Sequence, residues 1–236
     1  MDGDAMLTRF DSAAEMVANL ADRAEKVIKS AIAEKGAASI ALSGGSTPAP
    51  LYRALAARDI EWENVHVILV DDRWVAPGQP GSNESFVQET LLGAGAGAAT
   101  YISLYAPVDY PKDALETVSK RLNDMPWPLD VAVLGMGPDG HTASWFPYAE
   151  GLTEALGSDA RLAAVTATKS AVTGDYLHRI TLTLNAVSAA GTVLLLLSGD
   201  KKLDAFQAAA ADGPIEAMPV RAIMKDRPDM TVAWCA

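Results

Sequence analysis

The first part of the chain carries a long amphipathic pattern. Between residues 12 and 35, apolar side chains recur every three or four positions, which is the spacing of a helix with one buried face. Ser12 followed by Glu15 is typical of a helix start, and Gly36 is typical of a helix end. We therefore predict a helix over residues 12–35.

After this helix, short apolar runs of strand length alternate with helical patterns. The predicted strands are 39–42, 65–70, 131–134, 179–184, 192–197 and 231–234; the predicted helices are 48–57, 84–92, 112–122 and 200–211, with a short helix capped by Asn185. This alternation implies right-handed crossovers and a mostly parallel sheet flanked by helices, an α/β fold. The Gly- and Ala-rich stretch 93–99 is predicted to be a surface connection, so residues 1–236 are expected to form a single domain.

The composition narrows the possible partners. The chain has 236 residues, half of them hydrophobic, which is enough for one sizeable core. The net charge of −11 argues against a nucleic-acid partner, although a few amides and one cation still suffice for a small anion. With Cys235 as its single cysteine, no signal-peptide pattern and no apolar run long enough to cross a bilayer, the protein is expected in the cytoplasm without a membrane segment.

In an open parallel sheet, ligands bind beyond the carboxyl ends of the strands, and four segments follow such ends here. The first reads Ser-Gly-Gly-Ser-Thr-Pro over residues 43–48. Its glycines let backbone N–H groups turn toward a ligand, and the proline starts a helix whose N-terminus points to the same place. The alternative is a plain tight turn. The predicted anion-binding residues are Ser43, Gly44, Gly45, Ser46 and Thr47.

The second segment follows the strand predicted over 65–70. It begins with Asp71, Asp72 and Arg73, charged residues that strand interiors exclude, and this indicates a polar site. The alternative is a salt-bridged loop on the rim of the sheet. The same segment continues to Ser82 and Asn83, either of which is a suitable cap for the next helix.

The third segment, residues 135–144, carries the strongest chemical signal. Three glycines and a proline follow a hydrophobic strand and lead to Asp139 and His141. Histidine exchanges protons near neutral pH without a large pKa shift. The glycine density, the neighbouring carboxylate and the strand-end position favour catalysis over a purely structural histidine. His66 and His178 lie in or beside strand patterns and are predicted to be structural.

The fourth segment holds Lys201 and Lys202 in the first turn of a predicted helix. A lysine there opposes the helix dipole, and an anion bound at the same helix end would explain it. A solvated pair of lysines is the alternative. Arg179, at the start of the strand predicted over 179–184, is a second candidate cation.

Together these segments resemble the 6-phosphogluconolactonase family. The matching pieces are LSGGSTP (42–48), DDRWV (71–75), SNES (82–85), LGMGPDGHTASWFP (134–147), RITLTLNAV (179–187) and GDKK (199–202). They occur in the family's order over most of the chain. The 134–147 motif is highly specific, whereas related sugar-phosphate isomerases share the first motif and the arginine strand. Asp72 stands where glutamate is expected, and Trp145 where leucine is usual.

The resemblance implies a modified Rossmann-like fold, shared with glucosamine-6-phosphate deaminase, and no cofactor. It also implies hydrolysis of 6-phospho-D-glucono-1,5-lactone to 6-phosphogluconate in the oxidative pentose phosphate pathway. By position, His141 would be the catalytic histidine and Arg73 a substrate-site cation. Lys202 falls at the usual offset and is preferred over Lys201 for the phosphate.

A hypothesis for the mechanism follows from these assignments. Neutral His141 takes a proton from water and returns it to the ring oxygen, Asp139 orients the imidazole or a sugar hydroxyl, and Arg73 meets the developing negative charge. The phosphate lies on the amides of 43–47 and on Lys202. The predicted substrate-binding set is completed by Asp71, Asn83 and Arg179.

No metal is expected, because a lactone carbonyl is already reactive. The expected partner is a small phosphorylated sugar lactone, and the protein is expected to be a monomer or a small homo-oligomer. The nearest alternative is an isomerase or deaminase of amino-sugar phosphates, with Asp71 moving the proton. A non-catalytic sugar-phosphate sensor is disfavoured, because the length and charge leave no room for a DNA-binding module.

Overall fold

A computed structural model describes residues 6–236 of the chain. Strands and helices alternate along it, as the sequence predicts. In chain order the elements are β1 Leu7–Arg9, α1 Ala13–Lys35, β2 Ala38–Leu42, α2 Ala49–Ala56, β3 Val65–Leu69, β4 Asp71–Arg73, α3 Asn83–Val87, β5 Thr100–Ile102, α4 Pro111–Arg121, β6 Val131–Gly135, α5 Leu152–Gly157, β7 Leu162–Thr166, β8 His178–Leu182, α6 Leu184–Ser188, β9 Thr192–Ser198, α7 Asp200–Ala210, α8 Val220–Asp226 and β10 Thr231–Cys235.

The main sheet has seven strands in the order β1-β10-β9-β6-β2-β3-β5, and every neighbouring pair is parallel. All five residues of β2 are buried, and only the last residue of the seven-residue β9 is exposed. Such continuous burial is typical of parallel strands covered on both faces. The predicted α/β fold with a mostly parallel central sheet is therefore confirmed.

Helix α1 begins and ends where its sequence predicts. The Oγ of Ser12 accepts a hydrogen bond from the Glu15 N–H at 3.1 Å, and Gly36 ends the helix with φ of 80°. The buried face, which includes Leu20, Ala24 and Ile28, recurs every four residues and packs on β2, β10 and α2. Burial of this apolar stripe stabilises the helix more than its intrinsic propensity does.

A second, antiparallel sheet of three strands in the order β4-β8-β7 adjoins the main one. Val70 links the two sheets, because its N–H donates to the Leu42 carbonyl at 2.9 Å and its carbonyl accepts from the Leu182 N–H at 2.7 Å. The sequence does not predict this sheet. Its strand β4 consists of charged residues, and β7 contains two alanines, which are weak strand formers. The short elements β1, β5, α5 and α8 are also absent from the sequence-based prediction.

The segment 93–99 is largely a surface connection, as predicted, because residues 93–95, 97 and 98 are exposed. A π-helical stretch over Gln88–Ala96, interrupted by a kink at Gly95, nevertheless continues α3 into the first part of this segment, and Ala96 is fully buried. Gly95 has φ of 144°, and a Cβ at this position would meet the Ala56 carbonyl oxygen at 2.4 Å. The glycine therefore permits a close approach of this exposed segment to the end of α2.

The predicted strand over 179–184 ends earlier, at Leu182. Thr183 caps α6, because its Oγ1 accepts from the Ala186 N–H at 3.3 Å, so Asn185 does not have the capping role that the sequence suggests. Trp145, an unusual residue in its motif, fills the core beside this strand end. Its indole N–H donates to the Leu182 carbonyl at 2.9 Å.

The helices of the protein are too short or too polar to cross a bilayer. Within residues 6–236, none combines the length and the apolar character that a transmembrane helix requires.

Candidate active site

Four strands that lie next to each other in the sheet, β9, β6, β2 and β3, carry the four segments with candidate chemistry at their carboxyl ends. A cleft of about 270 Å³ opens there. Nine of the predicted site residues line it: Ser43, Gly44, Gly45, Asp71, Arg73, Asn83, His141, Arg179 and Lys202. The position agrees with the rule that ligands of open α/β sheets bind beyond the carboxyl ends of the strands.

Three predicted site residues lie outside the lining of this cleft. Ser46 and Thr47 line a smaller depression beside the start of α1, although the Thr47 Oγ1 accepts from the Lys202 Nζ at 3.4 Å. Asp139 does not line the cleft, but its Oδ1 lies 2.6 Å from the Nδ1 of His141, which does.

The glycine loop after β2 presents unused hydrogen-bond donors. Within residues 6–236, the N–H groups of residues 44–47 have no protein acceptor, and the buried Oγ of Ser43 has no partner. A Cβ on Gly44 would lie 2.0 Å from the Oδ1 of Asn83, so a larger residue would displace that side chain. Gly45 has φ of 101°, a conformation that L side chains rarely adopt. Tyr52 fixes the loop by donating to the Ser43 carbonyl at 2.7 Å. The arrangement suits an anion.

His141 is held from one side by a carboxylate. Its Nδ1 lies 2.6 Å from the Oδ1 of Asp139, and the same oxygen accepts from the His141 N–H at 3.2 Å. Because an ionised carboxylate only accepts, the neutral imidazole carries its proton on Nδ1 and leaves Nε2 as an acceptor. Burial would raise the pKa of Asp139, but the hydrogen bonds and charge of His141 outweigh it and lower that pKa.

The loop around this pair is shaped by a glycine and an aromatic ring. A Cβ on Gly137 would lie 2.2 Å from the Cε1 of His141, so a larger residue would displace the imidazole. On the other side, the ring of Phe146 lies 4.4 Å from that of His141, tilted by 34°. The orientation of His141 is therefore fixed by packing as well as by Asp139.

The segment after β3 places two buried carboxylates side by side in the chain. The Oδ2 of Asp71 accepts from the Oγ of Ser144 at 2.5 Å, and Asp71 lines the cleft. Asp72 points away and accepts three backbone N–H groups, and burial raises its pKa to about 7 although those bonds oppose the shift. Arg73 donates from its Nη1 to the Gly81 carbonyl at 2.7 Å.

Arg179 and Lys202 bring two further cations to the cleft. The guanidinium of Arg179 donates to the carbonyls of Tyr176 at 2.7 Å and Thr173 at 3.2 Å and lies 5.1 Å from the Phe146 ring centre. Burial lowers the pKa of Arg179 to about 10, and it also lowers the pKa of Lys202. With a pKa of about 10, Arg179 stays protonated at neutral pH, so an anion in the cleft meets positive charge.

Several residues of the cleft are not among the sequence predictions. Val172 comes from the loop before β8, whose sequence offers no chemical signal, and it reaches the cleft because Arg179 binds that loop. Met136 and Phe146 lie inside the 134–147 motif but have no reactive group. Ser144, which holds Asp71, lies in the same motif, and the sequence alone indicates no role for it.

The other two histidines lie elsewhere. His66 is in β3, and burial lowers its pKa. His178 packs against Tyr110 and lines a separate groove of about 450 Å³ with Lys112 and Glu150. That groove is larger than the cleft, but it has neither a glycine loop nor a histidine–aspartate pair. Within residues 6–236, no three His, Cys, Asp or Glu side chains gather in a way that would hold a metal ion.

The fold and the cleft define an α/β protein with a site at the carboxyl edge of a parallel sheet, lined by a histidine, several cations and a glycine loop with free N–H donors. Residues 11–234 match the model of the family described as glucosamine-6-phosphate isomerases/6-phosphogluconolactonase. The chain belongs to this family.

Individual relatives agree with this assignment. The chain is 41% identical to a 6-phosphogluconolactonase of Mesorhizobium japonicum, over 95% of this chain and 93% of that protein. It is 34% identical to a 6-phosphogluconolactonase of Shewanella baltica whose crystal structure superposes with a TM-score of 0.92, covering 98% of this chain and 97% of the other. A monomeric glucosamine-6-phosphate deaminase, 17% identical, gives a TM-score of 0.77 over 97% and 96% of the two chains and shares the fold.

Proposed function

We propose that the protein hydrolyses 6-phospho-D-glucono-1,5-lactone to 6-phospho-D-gluconate, a reaction of the oxidative pentose phosphate pathway. The observation that carries this proposal is the His141–Asp139 pair, which faces a cleft that also holds Arg73 and the free donors of the glycine loop. The names of the relatives support the same reaction.

In the proposed first step, His141 acts as a general base. Its Nδ1–H is bound to Asp139, so the Nε2 lone pair accepts a proton from water as that water attacks the lactone carbonyl carbon. Asp139 keeps the imidazole in the required tautomer and stabilises the imidazolium that forms. When the tetrahedral intermediate collapses, the bond between the carbonyl carbon and the ring oxygen breaks. His141 then returns its proton to that oxygen.

Arg73 is proposed to stabilise the oxyanion of this intermediate. Its Nη1 is bound to the Gly81 carbonyl, which leaves the other guanidinium nitrogens for the cleft. A cation placed before the reaction stabilises charge that develops in the transition state, and such donors contribute about 2.7–4 kcal/mol each. No redox step or covalent intermediate is needed.

The phosphate is proposed to bind at the glycine loop with Lys202. Lys202 lines the cleft, whereas its neighbour Lys201 is exposed and does not. Arg179 adds a second positive charge to the same cleft. Asp71 and Asn83 are proposed to bind hydroxyl groups of the sugar, because both side chains line the cleft together with the glycine loop and His141.

The finer expectations about the cellular context belong to this proposal. The protein acts in the cytoplasm on a small phosphorylated lactone, as a monomer or a small homo-oligomer, without a cofactor or metal. Its single cysteine, Cys235, is buried and unpaired, which fits a reducing compartment.

An isomerase or deaminase reaction on an amino-sugar phosphate is the second candidate, because the family description includes it and Asp71 lines the cleft as a carboxylate. Arg73, two positions after Asp71, favours lactone hydrolysis over isomerisation, because a guanidinium can stabilise an oxyanion. Release of ammonia from glucosamine 6-phosphate by the purified protein, without lactone hydrolysis, would decide for the second candidate.

The direct experiment replaces the proposed base. We expect His141→Ala to lower kcat for the phosphorylated lactone by about 10²–10⁴-fold, the usual contribution of a general base. His178→Ala is the matched control, because His178 lies outside the cleft and the variant should keep wild-type activity. Both rates are measured above spontaneous hydrolysis of the lactone. Activity of His141→Ala within about tenfold of wild type would rule out the proposed role.

A further inference from the structure

The carboxylate of Asp72 is the common acceptor of three backbone N–H groups. Its Oδ1 accepts from the N–H of Arg73 at 2.7 Å and from that of Asn83 at 2.7 Å, and its Oδ2 accepts from the N–H of Glu84 at 3.1 Å. The residue is 5% exposed and does not line the cleft. It therefore cannot touch a substrate bound there.

Two of these donors belong to residues that do line the cleft. The chain leaves the site at Arg73, passes through the loop 74–82 and returns at Asn83, and a single carboxylate oxygen binds both ends. Arg73 bonds to that same loop through the Gly81 carbonyl. Asn83 in turn packs against Gly44 of the glycine loop. The relative position of the cation and the amide therefore depends on Asp72.

We propose that Asp72 is a positioning residue for the reaction, which fixes Arg73 and Asn83 relative to each other by closing the base of the loop 74–82. This inference rests on the proposed lactonase function. Asp72 acts through the backbone, and its own side chain takes no part in proton transfer or in substrate binding.

A simpler role as a helix cap does not account for the contacts. Helix α3 already has a cap, because the Oγ of Ser82 accepts from the Ser85 N–H at 3.2 Å. The hydrogen bond that the Arg73 N–H donates is not part of a helix cap, because Arg73 is the last residue of strand β4. Asp72 thus connects a strand end to a helix start across the site.

The test compares Asp72→Asn with Ser82→Ala and Asp72→Glu. An asparagine turns an N–H₂ group toward one of the backbone donors, so at least one bond is lost, whereas Ser82→Ala removes only the cap. We expect Asp72→Asn to lower kcat/KM for the lactone by about 10²-fold, as displaced catalytic groups do. Ser82→Ala should stay within about threefold of wild type, and Asp72→Glu, which keeps an acceptor-only carboxylate, should recover most of the lost activity.

A double-mutant cycle separates positioning from a general loss of stability. Because Asp72 acts through both Arg73 and Asn83, Asp72→Asn should lower kcat/KM by clearly less than about 10²-fold in an Arg73→Ala background, where only the part that acts through Asn83 remains. Full additivity of the two substitutions would overturn the proposal. So would equal losses in Asp72→Asn and Ser82→Ala at matched melting temperatures.

Affinity for 6-phosphogluconate, measured by calorimetry, gives a readout that does not need turnover. We expect weaker binding in Asp72→Asn than in Ser82→Ala, and equal affinities would count against positioning. A wild-type protein that binds 6-phosphogluconate but does not hydrolyse the lactone would contradict the proposed function, while the affinity comparison would still decide on Asp72.

Discussion

Lys201 and Lys202 are neighbours in the chain with different surroundings. Lys202 lines the cleft and reaches the Oγ1 of Thr47, and burial lowers its pKa, whereas Lys201 is exposed. Burial disfavours the charged form of a lysine, and a bound anion would offset this cost. The contrast makes this pair a direct test of the phosphate site.

We expect Lys202→Ala to raise KM for the phosphorylated lactone by about 10–100-fold, because a hydrogen bond to a charged group contributes about 1.5–3 kcal/mol. Steady-state kinetics of Lys201→Ala provide the matched control and should be unchanged. With unphosphorylated gluconolactone, Lys202→Ala should equal wild type in kcat/KM. The phosphate would have to bind elsewhere if Lys202→Ala left KM for the phosphorylated substrate unaltered.

Among single residues, contacts between near neighbours in the chain could be predicted from the sequence. Which side chains of a loop point into the cleft could not. Asp139 and His141 are two positions apart, so their pairing follows from the motif. Ser46 and Thr47 are equally close to the glycines, yet the loop turns them toward α1. Val172 has no signal in its sequence, because its loop reaches the cleft through the hydrogen bond from Arg179 to the Thr173 carbonyl, which a sequence pattern does not reveal.

At the scale of elements, the periodic patterns were sufficient for the long helix and the buried parallel strands. The small antiparallel sheet was not predicted, because it depends on which strands pair and not on an apolar pattern within each strand. Strand β4 pairs Arg73 with Arg179 of β8, and the charged residues of β4 give no apolar run that would mark it as a strand. The helical segment that begins with α3 was underestimated in length. Its π-helical part continues past Leu92, although glycines are unfavourable in a helix unless a close neighbour requires them.

A substitution at Gly95 tests whether a close neighbour requires glycine at this position. Its φ is 144°, and a methyl group added there would lie only 2.4 Å from the Ala56 carbonyl oxygen, so Gly95→Ala should lower the free energy of unfolding by about 1–3 kcal/mol. Gly97→Ala is the control, because Gly97 has φ of −64° and its added methyl would lie 3.4 Å from the nearest atom. Chemical denaturation measures both. Equal stability of the two variants would show that Gly95 has no packing role.

At the scale of the whole molecule, parallel topology explains how distant motifs form one site. Strands β9, β6, β2 and β3 are neighbours in the sheet although long stretches of chain separate them. Their carboxyl ends therefore bring the lysine, the histidine, the glycine loop and the arginine together. The sequence predicts this convergence as soon as the sheet is taken to be parallel, whereas the strand order comes only from the structure.

The same architecture buries the side chain of Asp72 in strand β4, and this has a consequence for stability. Burial raises the pKa of Asp72 to about 7, above the value of about 3.9 expected in the unfolded chain. A folded-state pKa raised in this way gives stability that is fully present below the unfolded pKa and is lost as pH rises through the folded pKa. Asp72 should therefore make the protein less stable at pH 8 than at pH 5, by an amount on the order of 3 kcal/mol at most.

Other groups also titrate over this range, so the comparison must be made against Asp72→Asn, which stays neutral. We expect the unfolding free energy of the variant, minus that of wild type, to increase between pH 5 and pH 8. Urea denaturation at each pH measures the difference, with Ser82→Ala as a control that should show no such trend. A pH-independent difference for Asp72→Asn would mean that the carboxylate ionises freely in the folded state. If the trend is found and the variant is also less active, the molecule retains a destabilising charge because that charge holds Arg73 and Asn83 in place.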